Sequence, residues 1–177
     1  MALLRICLLA AGLFCAMPVL ANDSVYTKLV LEDCTIVDDY NEEEGGDSIA
    51  FVCHGQDDIP VYVAEGDLRF TVSPLPKGYR GPVQFETLPP FNSLGETLEW
   101  RRDDAGNTVA TILRWFTDGG DGRKGETLVV TRVAADGVCH VAEIDALANK
   151  EANAMARDIA DGQAAAFRCG QDEVMRR

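Results

Sequence analysis

The stretch Glu96–Thr117, ETLEWRRDDAGNTVATILRWFT, constrains the fold more than any other part of this chain. Period-two alternation on both sides of Asp103-Asp104-Ala105-Gly106-Asn107 predicts a long antiparallel hairpin. Both tryptophans of the chain lie on it. With Ala105-Gly106 at the turn, Trp100 faces Thr111 and Leu98 faces Leu113. One face then carries Leu98, Trp100, Val109, Leu113 and Trp115, which is a core face. The other sets Glu99, Arg101 and Arg114 among Ala110, Ile112 and Phe116. As a structural face it would hold cross-strand ion pairs contributing about 0.2–1 kcal/mol each. As an open face it would be a binding surface, because arginine and aromatic residues are enriched at interfaces. The outcome depends on whether another element covers it.

The chain opens with Arg5, the apolar run Ile6–Phe14, Pro18 and then Val19-Leu20-Ala21. This is the pattern of a secretory signal peptide, with cleavage expected after Ala21, and it is too short for a membrane span. A lipoprotein would need a small residue before the acylated cysteine, but Cys15 follows Phe14 and Cys7 follows Ile6. The expectation is a periplasmic or secreted protein whose residues 22–177 form a single domain with no membrane span. Cys34, Cys53, Cys139 and Cys169 would remain, an even count that predicts two disulfides in an exported domain. Three pairings are possible. The local one, Cys34–Cys53 with Cys139–Cys169, is the expectation, each bond adding about 3 kcal/mol on the chain-entropy model. No CxxC spacing points to zinc.

The net charge is −13, one unit more negative once Arg5 is removed. Such acidity argues against nucleic acid and anionic membranes as partners and suits a cationic protein.

Taken in order, Val25–Val37 reads as one β-branched strand. The acidic loop Asp38–Asp47 follows, then a strand Ser48–His54. The loop's carboxylates bring calcium to mind, but the order is not that of an EF-hand, and a solvated charge run fits it better. Ile59–Ser73 predicts a second hairpin turning at Gly66-Asp67, with Val63 opposite Phe70 and a core face of Val61, Val63, Leu68, Phe70 and Val72. Glu65, Asp67 and Arg69 cluster near that turn, an exposed place for acid–base work.

Pro74–Asn92 holds five prolines, Pro74, Pro76, Pro82, Pro89 and Pro90, with a short strand expected at Val83–Glu86. Long connections of this kind are often functional. Tyr79-Arg80 and Leu88-Pro89-Pro90-Phe91 are candidates to line a cleft, against the plainer reading of a loop packed over the sheet end. Asp118–Gly125 is glycine-rich but lacks the ending of a P-loop and the repeat of calcium-binding β-rolls.

Thr127–Asp145 predicts a third hairpin turning at Asp136-Gly137, with Ala134 opposite Cys139, Val133 opposite His140, and Cys139 sharing a face with Leu128, Val130 and Val141. Ala146–Arg168 predicts an alanine-rich helix with Asp145 or Asn149 as N-cap. Met155, Ile159, Gly162, Ala166 and Cys169 would form its buried stripe, and Gly162 suggests close approach to the sheet. Gln171–Arg177 reads as a loose tail.

No cofactor or catalytic motif is present: no GxSxG, no HExxH and no histidine triplet. His54 and His140 each follow a cysteine assigned to a disulfide, which removes the free thiol a cysteine nucleophile would need. The strings VYVAEGDLRFTV, TLEWRRDDAG, TVATILRWF and CHVAEIDALANKEANAMARDIAD resemble a family of small secreted proteins of alphaproteobacteria with no assigned activity. The likeness extends over nearly all of residues 22–177 and includes the cysteine placement. It implies a periplasmic or secreted single domain and carries over no catalytic residue.

The fold expected is α+β: a largely antiparallel twisted sheet of about seven or eight strands, with one C-terminal helix stapled across it and a barrel as the alternative. The function expected is non-enzymatic binding of a cationic protein, lysozyme inhibition being one version, through Glu99, Arg101, Arg114 and Phe116 or through Tyr79 and Arg80. A small hydrolase with carboxylates in a cleft beside the proline-rich loop is the alternative. A calcium-stabilised structural protein is a third reading.

Overall fold

The computed structural model describes residues 23–40 and 47–177. The expected signal segment and most of the acidic loop therefore lie outside the described residues. Among these residues ten strands fall into two sheets: in one the first strand pairs with the sixth and the sixth to tenth follow in order, and in the other the second to fifth lie in order. The α+β class stands, but the chain builds two sheets rather than one, and neither closes into a barrel.

The strands are β1 (Asp23–Lys28), β2 (Thr35–Tyr40), β3 (Ser48–Cys53), β4 (Val61–Gly66), β5 (Arg69–Pro74), β6 (Phe91–Arg102), β7 (Thr108–Asp118), β8 (Lys124–Ala134), β9 (Gly137–Asp145) and β10 (Met175–Arg176). Helix α1 spans Ala152–Gln163. All pairings are antiparallel except β10 with β9, which is parallel.

The layers are four-stranded sheet, six-stranded sheet, helix. Leu98, Trp100, Leu113, Trp115 and Val129 of the large sheet pack on Val61, Val63 and Val72 of the small one. The opposite face of the large sheet, with Ala110, Ile112, Leu128, Val130 and Ile144, packs on Ala152, Ala156, Ile159 and Ala160 of α1. Burial on both faces explains why β7 and β8 are apolar at successive positions instead of alternating with polar residues.

The central hairpin has the expected register, with Trp100 opposite Thr111 and Leu98 opposite Leu113. Its turn is held by Asp103, whose Oδ1 accepts the N–H groups of Ala105 and Asn107, and by Gly106 at φ 82°. The expected single strand Val25–Val37 is instead divided between the two sheets. Val25, Leu29 and Leu31 face the inter-sheet core, and a 3-10 turn at Leu31–Asp33 then changes the frame. Cys34 thereby turns inward and bonds Cys53.

The second hairpin is paired two residues away from expectation, with Val63 opposite Val72 and Gly66 opposite Arg69. Its turn residues are Asp67 and Leu68, at φ 51° and 60°, the double left-handed geometry of a type I′ turn. Asn92 fastens this register: its Oδ1 accepts the Phe70 N–H at 2.9 Å and its own N–H donates to the Leu68 carbonyl at 3.0 Å. A shift of two preserves side-chain facing, so Val61, Val63 and Val72 remain core, while Leu68 sits on the turn at 63% exposure.

The third hairpin differs by two near its turn, with Ala134 opposite Gly137 and Arg132 opposite Cys139, and by one beyond a bulge at Val130/Thr131, where Val130 lies opposite Ala142. None of Ala135, Asp136 and Gly137 takes a positive φ. Gly137 is required for another reason: a Cβ there would lie 2.8 Å from Cys169 Sγ and 3.1 Å from Arg132 Nη1. The expected Cys139–Cys169 bond is present, and Cys139 lies on the helix-facing side with Val141.

The helix is shorter than expected. Asp145 Oδ1 accepts the N–H groups of Leu147 and Ala148, so it caps a preliminary turn, and α1 begins only at Ala152. The close approach to the sheet is made by Ala152, Ala156 and Ala160; Gly162 is exposed, with open space at its Cβ position. The tail is not loose. Arg177 donates its backbone N–H to Glu143 O and its carbonyl accepts from Asp145, which continues the β10–β9 ladder.

Candidate functional site

The charged face of the central hairpin was the first candidate, and α1 covers much of it. Arg101, 5% exposed, donates from Nε and Nη2 to the two carboxylate oxygens of Asp161 at 2.8 and 2.6 Å. Glu99, 7% exposed, accepts from Ser24 Oγ at 2.5 Å and from Arg157 Nε and Nη2 at 2.7 and 3.1 Å. Arg157 Nη2 also donates to the Tyr26 hydroxyl at 3.2 Å. These residues form a network between β1, β6 and α1 in which Arg101 and Glu99 are buried while Arg157 and Tyr26 reach solvent. Arg101 and Glu99 therefore join sheet to helix.

The far end of the same face is open. Arg114 pairs with Glu126 at 2.7 Å and Phe116 is 41% exposed. Together with Tyr26, Thr97 and Glu99 they line a recess of about 400 Å³ beside α1. Tyr79 and Arg80 are not among its lining residues. The Tyr79 hydroxyl donates to Pro82 O at 2.8 Å and accepts from Gln84 at 3.1 Å, so it organises its own loop, and Arg80 is exposed.

A second concavity lies on the outer face of the small sheet. Pairing of Ala50 with Ala64 and of Ala64 with Thr71 puts these residues in one row across three strands. With Ser48 and Gly66 they form a floor of small side chains. Tyr62 stands on one side. Phe85 and Thr87 reach it from the proline-rich connection, which has no strand at Val83–Glu86. The groove measures about 430 Å³, with Asp38, Glu65 and Arg69 among its lining residues. That volume lies within the range of small-ligand pockets, and its walls are mainly apolar, as such pockets are. Phe85 is 67% exposed, and the buried Thr71 Oγ1 has no hydrogen-bond partner among the described residues.

The charged groups around this groove differ in availability. Arg69 pairs with Asp67, donates from Nε to Pro89 O at 3.0 Å, and lies over the Phe91 ring at 5.1 Å from its centroid. Glu65 accepts the Leu68 N–H at 3.1 Å. Asp38 and Asp47 are exposed. The one signal in the sequence for this site was the run of small residues on the outward positions of β3 and β4, next to a proline-rich connection.

Two further groups bear on catalysis. Glu86 Oε2 accepts the His140 backbone N–H at 2.5 Å. Burial first, and the nearby Glu143 carboxylate as well, hold its carboxyl above the ordinary range, against the lowering by that hydrogen bond. His140 is buried, its ring edge-on to Trp115 with centroids 6.0 Å apart. All four cysteines of residues 23–177 are in disulfides. Among the described residues no group of three His, Cys, Asp or Glu is placed to hold a metal, and no helix is long and apolar enough to cross a membrane. Comparison of the chain with protein-family models, curated proteins and solved structures returns no match.

Proposed function

We propose that this chain is an exported, non-catalytic binding protein for a basic protein partner, and that the groove on the outer face of the four-stranded sheet is its binding site. The observation that carries the reading is the groove itself: a small-residue floor flanked by two aromatic side chains, Tyr62 and the exposed Phe85 delivered by the proline-rich connection. Two disulfides suit an oxidising compartment. The net charge of −13 favours encounter with a cationic protein, lysozyme being one concrete example. The charged face of the central hairpin contributes mainly to joining α1 to the sheet.

Titration with the neutral dye Nile red tests the groove directly. Wild type is expected to show one saturable site. Ala64→Phe fills the floor and removes it; Phe116→Ala, in the recess beside α1, leaves it unchanged. Equal binding in Ala64→Phe, or loss in Phe116→Ala alone, overturns the assignment.

Glu86 favours a second reading, a small hydrolase, because a carboxyl raised by burial is the property of a general acid. Turnover of a chromogenic ester or glycoside that disappears in Glu86→Gln would support it. Its dependence on Glu86 is the deciding point, since a contaminant's activity would persist in the variant.

A further inference from the structure

We infer that the groove reads a short basic segment of the partner protein, seating one aromatic or branched apolar side chain on the small-residue floor with lysine or arginine at the rim. This deepens the reading above and rests on it.

The floor supplies the apolar seat. Ala50, Ala64 and Gly66 leave room over the sheet where larger side chains would fill it, and Tyr62 and Phe85 flank that room. The lining residues run from β2 to β5, three strand spacings or roughly 14 Å. A single small amine is shorter than that, whereas three or four extended residues at about 3.3 Å each match it.

Thr71 lies in the floor row beside Ala64, and a hydroxyl in that row can hydrogen-bond the backbone of an extended segment, a partner that a purely hydrocarbon ligand does not offer.

The rim supplies the sign of the charge. Asp38 lines the groove and Asp47 adjoins its lining residue Ser48; both are exposed. Arg69, the cation of the lining, is already engaged by Asp67 and the Pro89 carbonyl. An anionic segment would meet unopposed carboxylates, while a cationic one is steered toward them.

The test titrates the full ¹⁵N-labelled chain with capped Lys-Gly-Trp-Gly-Lys, Glu-Gly-Trp-Gly-Glu and Lys-Gly-Ala-Gly-Lys, and with N-acetyltryptophanamide. The lysine–tryptophan peptide is expected to shift the amides of Ala50, Ala64 and Thr71 and to bind about tenfold more tightly than the others. Its binding should weaken as sodium chloride rises from about 20 to about 300 mM. Asp38→Lys and Thr71→Val should each weaken it about fivefold while leaving Nile red binding intact.

Equal binding of all tryptophan probes would overturn the cationic inference and leave the groove as an apolar site. Equal binding of the alanine peptide would overturn the apolar seat. If Nile red binds but no peptide shifts these amides, the inference fails alone. If the dye also fails to bind, the groove reading fails with it.

Discussion

His140 makes the acid stability of this protein predictable over a defined window. It is 4% exposed, and burial lowers its pKa from 6.5 to about 4. The unfolded chain takes up a proton near pH 6.5, whereas the folded protein resists until about pH 4. The neutral buried ring therefore contributes its full stability above pH 6.5, and that contribution is lost as pH falls to 4. A gap of about 2.5 units corresponds to about 3 kcal/mol. The carboxylates held below their ordinary value by hydrogen bonds, Asp23, Asp103, Asp118, Asp136 and Asp172, lose their contributions only lower, as pH falls through and below 3.8. Glu86 acts in the opposite direction. Its raised pKa means the folded protein takes up this proton first, which adds stability as pH falls and partly masks His140. Urea midpoints followed by tryptophan fluorescence at pH 7, 6, 5 and 4 separate the two. His140→Phe should flatten the decline, and Glu86→Gln should steepen it. A His140→Phe protein that loses as much stability as wild type over this window would refute the reasoning.

Three other perturbations test the packing. Asp161→Asn removes the charge facing the buried Arg101; breaking a buried pair costs about 3–5 kcal/mol, and because Asp161 is partly exposed and Arg101 keeps other partners the expected loss is about 2 kcal/mol, with Asp161→Glu recovering part of it in the same urea assay. Gly137→Ala places a methyl against the Cys139–Cys169 bond and should cost about 1–3 kcal/mol, an effect read as a lower melting temperature; an unchanged value would mean the turn relaxes freely. Trp100→Ala empties a fully buried site and removes the 2.8 Å bond from its Nε1 to Thr27 Oγ1, for a loss of about 3–5 kcal/mol.

The parts of this fold legible in the sequence were those fixed by local pattern. Strand periodicity plus a turn at Ala105-Gly106 was enough for the register of Trp100 with Thr111. The preference for local pairing gave Cys139–Cys169, although Cys169 lies past the end of α1 and not on its buried stripe. What local pattern did not contain was the number of sheets. Val25–Val37 is β-prone throughout, and only the tertiary requirement to bury Leu29, Leu31 and Cys34 between two sheets breaks it at a single 3-10 turn. The two register shifts have similar origins. Asn92, more than twenty residues away in sequence, holds the Asp67-Leu68 turn, and the glycine of Asp136-Gly137 is occupied in making room for Cys169. A glycine in a turn signals either conformational freedom or lack of volume, and the sequence does not distinguish them.

The candidate site illustrates the same limit with the polarity reversed. Reading outward charge as open surface led to Glu99 and Arg101, yet these are among the most buried polar residues of the chain. Complementary charges on two elements satisfy each other on burial: Arg101 with Asp161 and Glu99 with Arg157. The pattern of one strand shows only half of each pair. Conversely, the outward positions Ser48, Ala50, Ala64 and Gly66 of β3 and β4 are neutral and small, which looks unremarkable along a single strand. The groove comes from stacking such positions side by side, Ala50 beside Ala64 beside Thr71, and from a connection that brings Phe85 over them. A floor of small side chains with an exposed aromatic ring among its lining residues is the physical ground for placing the binding site on the quieter of the two faces.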